Sequence, residues 1–221
     1  GIEFREAFYC PDIANGPQSK ELVERLGAAG TQMTEVSSSV FGKIAYRERV
    51  GGIVAVAVRR DYPLGDLPAG DNPLLLVVDH IELPGNLGAV FRSADGAGAS
   101  GIIVCDPSAE ISTPNVIRAS LGTVFSVPIA VAPAQDVIRW LKARRIAIIA
   151  ATPDADTAWS DVDLTLPTAI VLGSEDRGLG DEWLNAADVR VNIPMRGGAD
   201  SLNVSAAAAI LLYEALRQRL L

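Results

Sequence analysis

Residues 74–105 read LLLVVDHIELPGNLGAVFRSADGAGASGIIVC. An unbroken apolar run at 74–79 (LLLVVD) is followed by a helix-forming stretch at 86–97, and a second apolar run occupies 101–105 (GIIVC). A strand that is apolar at every position, rather than at every second one, must be covered on both faces. The same alternation continues to the C-terminus. It predicts a helix near 114–121, a strand at 127–131, a helix at 134–144 and strands at 146–151 and 168–173. A helix at 180–186, a strand at 189–193 and a long helix from about 202 to 220 complete the series. The expected class is therefore α/β, a parallel sheet with helices on both faces. Ligands of such sheets bind beyond the carboxyl ends of the strands.

Upstream of this region the pattern is shorter. A strand is expected at 4–9, a helix at 19–29 with Ser19 as N-cap, and a strand near 33–36. A helix at 38–48 and a buried strand at 52–58 complete this part. Residues 1–60 thus read as a smaller α/β domain. Residues 61–73, DYPLGDLPAGDNP, carry the turn residues of a linker, and 74–221 form the second domain. The chain opens on Gly1-Ile2-Glu3 without a methionine, so a fragment of a longer protein is expected.

Composition narrows the classes. The 221 residues are 49% hydrophobic and 21% charged, which is globular and neither disordered nor fibrous. No stretch reaches the roughly 18 apolar residues of a membrane span, and no secretory signal is visible. Two cysteines, Cys10 and Cys105, cannot build a disulfide framework or a thiolate zinc cage, and a cytoplasmic setting is the default expectation. One histidine, His80, excludes a His-cluster metal site and argues against a Ser-His-Asp triad. His80 reads either as a strand-end residue with a local hydrogen bond or as the edge of a site.

The net charge of −8 argues against a generic nucleic-acid binder. The charge is unevenly spread, however. Residues 1–70 hold 8 basic against 9 acidic residues, and 71–221 hold 11 against 18. The first part also has the local pairs Arg47/Arg49 and Arg59/Arg60.

Gly96-Ala97-Gly98-Ala99-Ser100-Gly101 matches the dinucleotide pattern GxGxxG. That pattern works when a strand precedes it and a helix comes after, so that a phosphate meets a helix N-terminus. Here the order is reversed, which excludes a nicotinamide oxidoreductase. These glycines end a helix instead.

Three other segments each come directly after an apolar strand and combine small residues with a few polar ones. The first is PGNLGAVFRSA at 84–94, in which Asn86 is placed to cap a helix that carries Arg92. The second is LGSEDRGLG at 172–180, a glycine-flanked acidic turn containing Glu175. The third is NIPM at 192–195, a loop RGGAD, and then SLNVSAAAA at 201–209, where Ser201 or Asn203 caps a helix.

In this order the three segments resemble the motifs of the SpoU/TrmH family of RNA ribose 2′-O-methyltransferases, within the SPOUT class. The resemblance covers about residues 74–221. Residues 1–60 are similar, less sharply, to the small RNA-binding domain that this family often carries, with its usual opening strand and helix lying before Gly1. The resemblance implies a trefoil knot in the last third of the chain, a homodimer, and S-adenosyl-L-methionine held in the knot. By position, Thr152, Leu172, Gly173, Ile193, Met195, Ser201 and Leu202 would surround the cofactor. It further implies catalytic roles for Arg92, Asn86, Glu175, Ser201 and Asn203, and RNA contacts for Arg92 and Arg118.

An arginine guanidinium is always protonated. The role expected of Arg92 is therefore to clamp a phosphate and stabilise a developing alkoxide, with phosphate-assisted deprotonation as the competing account. No metal is required. The resemblance implies methylation of a ribose 2′-hydroxyl, with ribosomal (23S) RNA the favoured substrate and transfer RNA the alternative. Open alternatives are a non-catalytic RNA- or ribosome-binding protein of the same fold, a base or small-molecule methylase, and an antibiotic-resistance rRNA methylase.

Overall fold

Proline and glycine set the borders of the helices, and the apolar runs between them become strands. The computed structural model describes residues 2–46, 51–107 and 110–221. In chain order the elements are β1 (Glu3–Tyr9), α1 (Pro17–Ala28), β2 (Gln32–Glu35), α2 (Ser38–Ile44), β3 (Ile53–Val58), β4 (Leu74–Asp79) and α3 (Pro84–Gly96). Next come β5 (Gly101–Cys105), α4 (Pro114–Ala119), β6 (Ile129–Val131), α5 (Ala134–Ala143), β7 (Ala147–Ala151), β8 (Thr157–Ala158), β9 (Thr168–Leu172), α6 (Asp181–Ala186), β10 (Val189–Asn192) and α7 (Val204–Arg219). The chain divides into two compact units, Gly1–Arg59 and Arg60–Leu221.

In the first unit β1 is central, parallel to β2 and antiparallel to β3. Helix α1 begins with Pro17 at its first position, where the missing N–H is not needed, so Gly16 rather than Ser19 is the N-cap. Ser37 caps α2 by accepting from the Val40 N–H. This helix ends at Ile44, short of the expected 48, because Ala45 turns extended; residues 47–48 lie outside the described residues. The run 52–58 forms an edge strand, not a buried one: no residue of β3 is fully buried and Val56 is 44% exposed. A strand with a partner on one side only, in a three-stranded sheet, has too little around it to cover both faces.

The second unit is a seven-stranded sheet in the order β6-β5-β4-β9-β7-β10-β8, with every pairing parallel. Alternation along β4 explains the two layers. Leu74, Leu76 and Val78 face a core shared with Leu87, Val90 and Phe91 of α3 and Leu211 and Leu212 of α7. Leu75 and Val77 face the other core, with Val137 and Leu141 of α5 and Trp183 of α6. The stretch 61–73 belongs to this unit rather than running free. Tyr62 donates its N–H to the Ile129 carbonyl, and Leu67 is buried in the second core. Its turn-rich composition signals irregular chain, but Leu67 supplies the apolar surface that draws the segment onto the sheet. The short strand β8, which no apolar run announces, extends the sheet beyond β10.

Close packing fixes α4 on α3. A Cβ added at Gly88 would lie 2.4 Å from the Ala119 Cβ, so only glycine permits this approach. At the far end of the unit a polar clamp holds α7. Glu214 accepts from Arg217 and Gln218, Gln218 reaches the Val162 carbonyl and the Leu164 N–H, and Arg219 donates to the Leu164 and Leu166 carbonyls.

The hydrogen bonds from Arg217 and Gln218 pull the Glu214 carboxyl down from 4.5 to about 2. A depressed carboxylate stabilises the fold above its unfolded value, and that stabilisation is lost as pH falls through its folded value. Denaturant melts should therefore show stability falling as pH drops from 4.5 towards 2. Glu214→Gln should make that fall shallower.

Candidate cofactor cleft and polar relay

Parallel strands deliver their carboxyl ends to one edge of the sheet, and at the centre of that edge lie β9, β7 and β10. Their exits form a cleft of about 780 Å³. Thr152 comes directly after β7, its N–H donated to the Val191 carbonyl, and its own carbonyl accepts from Ala155 in a tight turn. Leu172 ends β9 with Gly173 directly after it, and Ile193 and Met195 lie just past β10. Ser201 and Leu202 close the cleft from the chain that leads into α7. All seven residues expected around a cofactor thus line one cavity.

The acidic turn after β9 is tight. Ser174 and Gly178 pair across it, the Gly178 N–H donates to the Ser174 carbonyl at 3.0 Å, and the Arg177 N–H donates to Ser174 Oγ. Gly178 takes a left-handed conformation with φ 66°, open to glycine without strain. Gly173 faces the returning chain, so that a Cβ there would sit 2.2 Å from the Gly178 carbonyl group.

Above the cleft the three motif segments are joined by side-chain hydrogen bonds. Asn203 Nδ2 donates to Asn86 Oδ1 at 3.2 Å, and Asn86 Nδ2 donates to Glu175 Oε1. Asn203 Oδ1 meanwhile accepts from the Ser205 N–H at 2.9 Å and so caps α7. Asn86 does not cap α3. Leu83 is the N-cap and Pro84 the first helical residue, which leaves the Asn86 amide free to bridge Glu175 and Asn203. Glu175 both ends this relay and lines the cleft.

Arg92 and Arg118 stand apart from the relay and from the cleft lining. Both are exposed, on α3 and α4, and neither forms a hydrogen bond or ion pair among the described residues. The Gly88–Ala119 approach sets their two helices side by side.

The sequence reading missed part of the lining. Asp154, Asn192, Asp176 and Asp200 also face the cleft, and Asn192 Nδ2 ties the end of β10 to the Ala155 carbonyl. Their position just after a parallel strand, or in the loops above one, is the available signal. The cleft therefore has apolar walls and an acidic rim that includes Asp154, Glu175, Asp176 and Asp200, with Arg177 among them.

The family model for the SpoU rRNA Methylase family matches residues 73–213. The chain belongs to this family. It is 37% identical over 174 residues to a 23S rRNA (uridine(2479)-2′-O)-methyltransferase of Streptomyces viridochromogenes, covering 76% of this chain and 61% of that protein. It is also 37% identical over 205 residues to the 23S rRNA (guanosine-2′-O-)-methyltransferase RlmB of Pectobacterium atrosepticum, covering 90% of this chain and 84% of that one. Among solved structures, the AdoMet-bound rRNA methyltransferase of Sinorhizobium meliloti superposes with a TM-score of 0.88 at 32% identity, over 98% of this chain and 81% of that one. No helix among the described residues of this SpoU-family chain is long and apolar enough to cross a membrane.

Replacement of Gly173 by alanine should force the 174–178 turn outward, because the group it meets is backbone. Hydrogen exchange should show lost protection at the Gly178 amide, with destabilisation of about 1–3 kcal/mol in denaturant melts.

Proposed function

We propose that this chain methylates ribose 2′-hydroxyls of ribosomal RNA, with S-adenosyl-L-methionine as methyl donor. The observation that carries the reading is the Asn203–Asn86–Glu175 relay, which joins three segments far apart in sequence at the rim of one cleft. The two 23S rRNA methyltransferases that the chain resembles support the substrate class, and the AdoMet-bound relative of the same fold supports the cofactor.

The cleft fits the cofactor. Its volume lies in the range of nucleotide-sized ligand sites. Leu172, Ile193 and Leu202 offer apolar walls to an adenine, and the acidic rim suits a ligand bearing sulfonium and ammonium charges. Thr152, Gly173, Met195 and Ser201 complete the set that would hold it. When bound, the cofactor supplies an electrophilic methyl carbon on a positively charged sulfur.

The chain's own residues then have two tasks, alignment and charge stabilisation. Glu175 fixes the Asn86 amide, and Asn86 in turn fixes Asn203, so that the N-terminal turn of α7 is held at the cleft beside Ser201. Ordering this rim before substrate arrives lowers the entropic cost of reaching an in-line geometry. Arg92, exposed and without a partner among the described residues, is available to grip a phosphate of the incoming RNA and to stabilise negative charge on the ribose oxygen, whose proton would pass to that phosphate or to water as the oxygen takes the methyl and the neutral thioether leaves. Arg118 on the neighbouring helix would extend the same phosphate-binding surface.

The strand order supports a trefoil knot in the last third of the chain. Strand β9 enters between β4 and β7, and β10 between β7 and β8, after the outer strands are already in sequence. The first unit would contribute RNA binding. A homodimer is supported by exposed apolar side chains such as Leu83 and Tyr213 on or beside α3 and α7. A cytoplasmic location accompanies a ribosomal RNA substrate.

Methyl transfer from labelled S-adenosyl-L-methionine to total RNA tests the activity. Label should appear in alkali-resistant dinucleotides, because a methylated 2′-oxygen cannot assist strand cleavage. Label in mononucleotides would mean a base methylase. Arg92→Ala should abolish transfer and leave cofactor binding intact by calorimetry. Arg118→Ala should weaken RNA binding and reduce the slope of log affinity against log salt by about one contact's worth, close to 0.7–0.9. An unchanged slope would refute the phosphate contact.

A further inference from the structure

Strand order and register place one short segment under an unusual demand. Strands β7 and β8 lie on opposite sides of β10, and both run parallel to it. Ala151 at the end of β7 and Thr157 at the start of β8 pair with the same residue, Val191. Residues 152–156 must therefore leave one strand, pass across β10 near its carboxyl end, and enter the other strand at the same level. With neighbouring strands about 4.8 Å apart, they span about 10 Å. They form an arch across β10.

The arch is also a wall of the cofactor cleft, since Thr152, Pro153 and Asp154 all line the cavity. Pro153 and Asp154 are exposed, so core packing does not hold its crest. Pro153 presets its own φ, and the Ala155 N–H closes the turn onto the Thr152 carbonyl at 3.3 Å. These features shape the turn but do not fix where it sits. Two hydrogen bonds to β10 do that. The Thr152 N–H donates to the Val191 carbonyl at 2.9 Å, and Asn192 Nδ2 donates to the Ala155 carbonyl. Among the described residues, Asn192 supplies the only side-chain hydrogen bond to the arch. Ala155 is buried, so water is a poor substitute for that donor.

We infer, on the basis of the cofactor reading of this cleft, that Asn192 is a positioning residue for S-adenosyl-L-methionine. It holds the 152–156 arch where Thr152, Pro153 and Asp154 can close one side of the cavity. Asn192 lines the cleft as well, but its amide nitrogen already serves Ala155, so its effect on the cofactor travels through the arch. The other walls have anchors of their own. The 174–178 turn is closed by Ser174 and Gly178, and the start of α7 is held through Asn203. Without the Asn192 donor the arch would have to be ordered as the cofactor binds. That entropic cost falls on cofactor affinity and not on the chemical step.

Calorimetric titration of the full chain with S-adenosyl-L-methionine, beside Asn192→Ala and Asn192→Leu, tests this. Leucine is similar to asparagine in size but has no donor, so it separates the hydrogen bond from the filling of space. Both variants, folded by circular dichroism, should bind the cofactor about tenfold more weakly, as expected when a buried carbonyl loses its donor. In methyl transfer to total RNA the KM for S-adenosyl-L-methionine should rise in parallel, while kcat at saturating cofactor changes less than about twofold. Amide exchange at Ala155 should speed up in the free variants and slow again when the cofactor is bound. Wild-type affinity in either variant would overturn the proposal, as would a loss of kcat with Kd and KM unchanged. A wild-type chain that binds no S-adenosyl-L-methionine would overturn the cofactor reading itself, and the role of Asn192 with it.

Discussion

Parallel strands cannot be joined by tight turns. Each must be reached by a crossover, and this one constraint arranges most of the second unit. Every crossover carries a helix or loop across a face of the sheet, so both faces are covered and the strands must be apolar throughout. The all-parallel pairing also sends seven carboxyl ends to the same edge. The cofactor cleft is a consequence, since it is assembled mainly from residues at or just past the ends of strands rather than from strand interiors.

On that edge the polar side chains of three distant segments are committed to one another. Asn86 gives up the capping role its position suggests because Pro84 already starts α3, and its amide links Glu175 to Asn203 instead. Asn203 does two jobs at once, capping α7 with its oxygen and reaching Asn86 with its nitrogen. The arginines are the exception. Arg92 and Arg118 stay exposed and without a partner among the described residues, a state with little energetic penalty in water. The polar groups of the relay are thus held in place at the cleft, while the two guanidinium groups lie on adjacent helices away from it.

Much of the fold was legible in the residues. Strands β4 and β5 fall where LLLVVD and GIIVC place them, and the helices begin and end within a few residues of the readings. The borders moved where proline intervened, at Pro17 and Pro84, because a ring that fixes φ and lacks an N–H takes the first helical position and displaces the expected cap. Two readings failed for want of context. The apolar run of β3 promised a buried strand, but an edge position in a small sheet covers too little of it. The run 61–73 promised a linker, but Leu67 and the Tyr62 backbone bind it to the second unit.

The sequence by itself determined the parallel α/β class, the positions of the strands, and the three segments that bear the family's motifs, because periodicity and motif spacing are local properties of the chain. Tertiary structure alone decided which side chains meet. The bond between Asn203 and Asn86 spans a separation of 117 residues. The bond from the His80 N–H to the Cys105 carbonyl depends on a strand register that no local pattern encodes. The insertion of β9 between β4 and β7 likewise depends on the order in which distant strands pair. Local propensity settles what each segment becomes, while the contacts that make a site are fixed by packing over long separations.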